Sequence, residues 1–203
     1  MAIKAVDLAM SLRYALGDMQ GVNVSDYELI EPINQAAAKL YGQLSQRYVH
    51  AVIKRSEDIN IDPSADKNSA DPLPNYELPG DFVRIHQALG MVGNSDYYRV
   101  LMPVSTKPTA EGTYRIIGTT FYAPKGLYTI EYYYIPARIY SMEGLLDIPE
   151  SMKTWVEQVA VALFKKDYVT AQTLTDQCEL VMAGRQISHF ENTTPVQVLG
   201  GRV

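Results

Sequence analysis

Residues 114–136, YRIIGTTFYAPKGLYTIEYYYIP, constrain the fold more than any other stretch. In an extended chain Tyr114, Ile116, Gly118, Thr120 and Tyr122 share one face, and Ile117, Thr119 and Phe121 the other. Further on, Tyr128, Ile130, Tyr132 and Tyr134 again share one face. β-Branched and aromatic residues at this period suit a pleated sheet. Between the two runs, Ala123-Pro124-Lys125-Gly126 has turn chemistry: proline presets φ and glycine tolerates a positive one. The stretch predicts a β-hairpin. Its apolar residues lie on both faces, so at least one arm must be covered on both sides. A lone hairpin is marginal in water, and the rest of the chain must supply the cover.

Helical periodicity flanks this region. Ala5, Leu8, Ala9, Leu12 and Leu16 form one stripe that Gly17 should end. A loop over residues 18–24 leads to Ser25-Asp26-Tyr27-Glu28, a capping-box pattern. The second helix carries Leu29, Ile33, Ala37, Leu40, Leu44 and Tyr48 on one side, and Pro32 either kinks it or marks its first turn. Residues 49–61 suit an extended segment. Leu78-Pro79-Gly80-Asp81 reads as a turn before a strand over 82–91, Gly93-Asn94-Ser95-Asp96 as another turn, 97–102 as a further strand and 103–112 as loop. Asp147-Ile148-Pro149-Glu150 starts a third helix with Met152, Trp155, Val156, Val159, Ala162, Leu163 and Lys166 at helical spacing. A fourth, over about residues 170–189, turns Leu174, Cys178, Val181 and Met182 inward.

The predicted class is therefore α+β. Residues 1–48 and 149–190 form a helical bundle from both chain ends, and residues 49–148 an inserted antiparallel β-domain. Residues 191–203 form an extended C-terminal tail. Two separate helical hairpins flanking the sheet are the alternative.

Composition excludes several function classes. A net charge of −5 lacks the basic face of a nucleic-acid binder, yet suits a surface past which DNA slides without capture. A single cysteine, Cys178, precludes an internal disulfide and a multi-cysteine zinc site, and its apolar spacing makes it a small buried hydrophobe. Fifteen tyrosines against four phenylalanines, clustered in the strands, read as sheet core. No apolar run reaches the ~18 residues of a membrane helix, and the first residues lack the apolar core of a signal peptide. The chain is expected to be soluble and made in a cytoplasm.

Catalytic patterns are missing. His50, His86 and His189 stand in separate segments without ligand partners at i+4, and no phosphate loop, nucleophile elbow or H-E-x-x-H occurs. Glu28 and Glu31 form the one carboxylate pair that suggests hydrolysis, but acids at a helix start are expected from the dipole. Asp81 reads as a turn or capping acid, Trp155 as core. Glu131 either faces solvent or pairs with Arg115 across the strands. No cofactor or metal is implied.

Four pieces in order, LPGDFVRI (78–85), YRIIGTTFYAP (114–124), YTIEYYYIP (128–136) and DIPE (147–150) before a helical end, make the chain resemble the head-to-tail adaptors of short-tailed bacteriophages. These are also called tail tubular protein A or head-completion proteins. The resemblance implies a virion protein at the head–tail junction, made in the host cytoplasm, that assembles rather than catalyses. It implies a ring of about twelve copies below the portal, extending the DNA channel and offering a platform to the tail nozzle. In several members the C-terminal segment pins onto the portal, which here assigns portal contact to Phe190, Pro195, Val196, Val198, Leu199 and Arg202. Val196, Val198 and Leu199 alternate with Gln197 in a way that would also allow strand addition to another chain. The Pro- and Asp-rich loop with Asp62, Pro63, Asp66, Pro72 and Pro74 is assigned to the next tail component or a neighbouring copy. A stopper lower in the tail, a cell-wall hydrolase and a sugar-binding β-domain are the rival readings.

Overall fold

A computed structural model describes residues 2–61, 75–91 and 98–192, the last eight of these by backbone alone. Asp62, Pro63, Asp66, Pro72 and Pro74, the turn at 93–96, and Pro195, Val196, Val198, Leu199 and Arg202 lie outside the described residues, as does the side chain of Phe190.

The chain is mixed α and β with antiparallel sheets. A short strand β1 (Ile3–Lys4) leads into α1 (Ala5–Leu16) and α2 (Asp26–Gln46). Ten short or medium strands follow: β2 (Ile53–Arg55), β3 (Ile59–Ile61), β4 (Asn75–Glu77), β5 (Phe82–Met91), β6 (Tyr98–Val100), β7 (Met102–Pro103), β8 (Thr113–Ile117), β9 (Thr120–Tyr122), β10 (Gly126–Tyr134) and β11 (Leu145–Leu146). Two helices, α3 (Glu150–Phe164) and α4 (Tyr168–Asn192), complete the described chain.

Local chemistry sets the helix ends. Gly17 closes α1 at φ +72°, a conformation that costs glycine little. The expected capping box opens α2: Ser25 Oγ accepts the Glu28 N–H, and the Glu28 carboxylate accepts the Ser25 N–H at 2.8 Å. Pro32 sits in the second turn of a helix that begins at Asp26 and continues through it. Pro149 is the cap of α3 rather than a first-turn residue. Asp167 opens α4 two residues before the expected start by accepting the Thr170 N–H at 3.0 Å and its hydroxyl at 2.7 Å. Leu29, Ile33, Leu40 and Leu44 of α2 are fully buried, each contributing about 1.5–3 kcal/mol. α3 packs on α1, α2 and α4. Tyr48, expected on the buried stripe of α2, instead lies past its end, exposed, at φ +58°.

β10 is the strand covered on both faces. Tyr128, Thr129, Ile130, Tyr132, Tyr133 and Tyr134 are all buried, and only Glu131 between them is half-open. Antiparallel β5 flanks one edge, with β6 beyond it; β3 and β2 line the other edge in succession. The hairpin forms elsewhere than expected. The first arm itself folds back at Gly118-Thr119, pairing Ile117 with Thr120 and Arg115 with Tyr122. Gly118, at φ +60°, occupies the first loop position, where a two-residue turn matched to strand twist needs glycine. β4, β9, β8 and β7 therefore make a second sheet, in which β7 runs parallel to β8. Residues 123–126 bridge the two sheets, pinned where the Tyr128 hydroxyl donates to the Pro124 carbonyl at 2.6 Å.

Lys54 ties sheet to helices. Its Nζ lies 2.8 Å from Asp81 Oδ2 and 2.6 Å from Asp147 Oδ2. The Tyr132 hydroxyl donates to Asp81 Oδ1 at 3.2 Å, and the Tyr134 hydroxyl to the Asp147 carbonyl at 3.0 Å. The Tyr134 ring meets the edge of Tyr41 from α2 at 5.2 Å. Asp81 is thus an ion-pair partner and not merely a turn acid. Nearby, Asn34 of α2 clasps the backbone of Ile139 through both its amide atoms, each at 2.9 Å.

Burial disfavours the charged amine of Lys54, but the bonds to Asp147 and Asp81 prevail and raise its pKa above the ordinary value. The stabilisation is complete below about pH 10.4 and is lost only as pH climbs through the raised value. Replacing this half-open lysine, Lys54→Met, should lower the unfolding free energy by about 1–2 kcal/mol at neutral pH, discounted for solvent screening. Urea unfolding will show this gap, and it should narrow at strongly alkaline pH.

Candidate interaction surface

α1 buries Ala5, Leu8, Ala9 and Leu12 and leaves a second stripe uncovered: Met10 is 57% and Tyr14 77% exposed, one turn apart. Met19, on the loop after α1, is 60% exposed beside them. Across from these stand Glu157 and Val161 of α3 and Leu174 of α4. Together they line an open groove of about 850 Å³. Its walls are mostly apolar. Methionine suits such a wall because its unbranched, polarisable chain adapts to what it meets. Its polar lining includes Glu157, whose Oε1 is buried and receives no hydrogen bond from the described residues. A buried carboxylate oxygen without a donor is costly.

The loop carrying Met19 is held by Asp18, which is almost wholly buried. Its carboxylate accepts the backbone N–H groups of Val22, Asn23 and Val24, the last at 2.9 Å. Arg13 bridges it to α2, at 3.3 Å from Asp18 and 2.6 Å from Asp26. Burial pushes the Asp18 carboxyl up, but the three N–H groups and Arg13 outweigh it and hold the pKa below the usual range.

A second cluster covers Tyr133, which alternates along β10 with Tyr132 and Tyr134. A bulge in β5 beside Glu131 leaves His86 as an extra residue. His50 and His86, far apart in sequence, meet with ring centroids 5.0 Å apart. Tyr133 Oη is 3.4 Å from His86 Nδ1. Arg84 lies 3.7 Å from the Tyr48 ring centroid and 4.7 Å from that of Tyr133, a cation held by aromatic faces. Burial and the neighbouring His86 lower the His50 pKa. The side chain of His189 is not described. Among the described residues no group of three or more His, Cys, Asp or Glu is arranged to hold a metal.

The other sequence candidates have structural partners. Glu28 serves the cap, and its pKa is lowered by Ser25. Glu31 pairs with Arg138 at 2.5 Å. Glu131 bonds Gln87 at 2.5 Å and lies opposite Arg55, not Arg115, because β10 pairs with β5 and β2 rather than with β8. Cys178 is buried, and Trp155 packs against the core. Val181 was expected inward but is exposed, as is the adjacent Leu180. The groove itself is legible in the sequence as the i, i+4 pair Met10 and Tyr14, off the main stripe of α1.

No helix among the described residues is long and apolar enough to cross a membrane. Asp18→Asn should loosen the loop bearing Met19. Because the Asp18 pKa is depressed, its contribution is present above about pH 3.9 and lost as pH falls through the lower folded value. Thermal unfolding followed by circular dichroism should find the variant less stable at neutral pH, with the difference closing in acid. Comparison with models of known protein families, and with curated proteins, finds no match for this chain.

Proposed function

We propose that the chain is a non-enzymatic virion protein, a head-to-tail adaptor that forms a ring below the portal. The observation that carries this reading is the uncovered apolar groove on the helices, with Met10, Tyr14 and Met19 largely open to water. Contiguous exposed apolar surface marks a site for a partner, and a groove on one copy that meets a different face of the next generates a ring when the rotation closes. The sequence pieces behind the resemblance support it further. LPGD supplies Asp81, YTIEYYYIP supplies Tyr132 and Tyr134, and DIPE supplies Asp147, and all four converge around Lys54.

In this reading the helices from both chain ends form a bundle that builds the ring wall, and the β-domain inserted between them faces the tail nozzle or the neighbouring copy. DNA passes through the channel without specific binding, in keeping with the net charge of −5. A stopper one position lower in the tail has the same surface requirements. The wall-hydrolase reading loses support because Glu28 is engaged in its cap and held ionised, a poor general acid at neutral pH.

Native mass spectrometry of the protein mixed with portal rings of the same phage tests the proposal. A step of about twelve subunits per portal is expected. Tyr14→Asp should reduce that occupancy while leaving the circular dichroism spectrum unchanged. No mass step would favour the stopper, and wall clearing that disappears in Glu28→Gln would overturn the assembly reading.

A further inference from the structure

Helix α2 ends in a left-handed turn without the usual glycine. The Val49 N–H donates to the Leu44 carbonyl at 3.1 Å and the Tyr48 N–H to that of Ser45 at 3.3 Å, the paired bonds of a Schellman cap. The left-handed position is filled by Tyr48, at φ +58°, where a side chain costs energy that glycine would not. Contacts outside the helix hold it there. The Arg84 guanidinium lies over the Tyr48 ring, and Tyr48 and Tyr133 meet edge to face with centroids 6.0 Å apart. Two residues on, the exposed His50 opens a single helical turn, His50–Val52.

The groups that face His50 come from two strands. β5 contributes His86, with ring centroids 5.0 Å apart, and Arg84. β10 contributes Tyr133, which both of these touch, and Glu131 within electrostatic reach. Glu131 accepts a hydrogen bond from Gln87 and stands opposite Arg55 of β2. As pH falls through the histidine range, His50 and His86 add positive charge beside a guanidinium that never loses its own. One carboxylate, already opposite Arg55, is then outnumbered. Burial and His86 hold the His50 pKa below the ordinary value against the pull of Glu131. A proton therefore binds more readily when the contact is open. The contact has its full strength above about pH 6.5 and weakens as pH falls through the lowered value.

We propose that His50 and His86 form an acid-sensitive latch, which holds the exit of α2 against β5 and β10 while both rings are neutral and releases the strained turn at Tyr48 when they are protonated. The opening is confined to that turn, because Leu44 before it and Val52 after it are buried in the core. The latch joins helix to sheet at a point separate from Lys54. It uses neither the groove nor the assembly reading, and it stands or falls without them.

Amide hydrogen exchange on the full chain tests this, read by NMR at about pH 7.5 and about pH 5.5 and corrected for the intrinsic rate. Histidine is the one side chain whose ordinary pKa lies in that window. The Tyr48 and Val49 amides, both hydrogen-bonded in the closed cap, should open about two- to fivefold more often at the lower pH, the size expected of partly exposed charges. His50→Gln and His86→Gln should each remove most of that pH dependence, whatever they do to exchange at the higher pH. His189→Gln should leave it intact. Both replaced rings are exposed, and an unchanged circular dichroism spectrum will confirm the fold of the variants. In the same spectra the His50 ring should titrate below its ordinary value and move back toward it in His86→Gln. Equal corrected exchange at the two pH values overturns the latch. So does a pH dependence that survives in the double variant His50→Gln, His86→Gln, or a His50 titration that His86→Gln leaves unmoved.

Discussion

The ion-pair cluster on Lys54 is the joint on which the two halves of this structure depend. A lysine on a short edge strand meets one aspartate at the entry to β5 and another at the entry to α3, and two tyrosines from β10 complete the shell. An ion pair of this kind adds little when fully exposed and is costly when buried and unmatched. Here it is half-buried, with the Asp81 carboxylate also held by the Tyr132 hydroxyl and the Asp147 backbone carbonyl by that of Tyr134, so one ammonium bridges two anchored acids without being lost to water. The tyrosine bias has its physical reason at this point. Phenylalanine would fill the same space between sheet and helices, but only a phenol can present a ring to the core and a donor to Asp81 or Asp147.

That joint and the two-sided cover of β10 close the centre of the fold, while apolar stripes stay open on the helices. α1 uses one stripe against α2 and α3 and leaves Met10 and Tyr14 to solvent; α4 makes a polar seam with α2 and leaves Leu180 and Val181 uncovered. The seam is explicit: Lys39 bonds Gln172, Gln43 bonds Asp176 and Glu179, and Arg47 pairs with Glu179. Polar groups committed to this seam thus stand beside apolar groups left open to water. The Arg84 cluster follows the same logic, since its cation is held between rings rather than presented in a cleft.

Local signals were legible where a single element decides them. The stripe of α1, its glycine stop, the capping box of α2 and the Pro-Gly turn before β5 depend on interactions within a few residues, and each formed where its residues said it would. The hairpin was misplaced because two turn signals compete within residues 114–136. Pro-Lys-Gly at 124–126 is the stronger motif in isolation, but Gly118-Thr119 permits a tighter, twist-matched loop and frees β10 to pair with β5, β2 and β3. Glu131 could not be partnered correctly until that pairing was known. Val181 was assigned inward from periodicity alone, and the face of α4 that is buried depends on where α2 and α3 stand.

The sequence by itself determined the class of the protein, the helices and their caps, the strand-forming character of residues 114–136 and the absence of any recognisable catalytic motif, because propensity, period and turn chemistry act over a few residues. Tertiary structure alone decided the partners of β10, the meeting of Lys54 with acids 27 and 93 residues away, the contact of His50 with His86, and which apolar stripes remain open. Those outcomes are set by long-range packing, in which a strand or a stripe takes the partner that leaves the fewest polar groups unpaired and the least apolar surface in water.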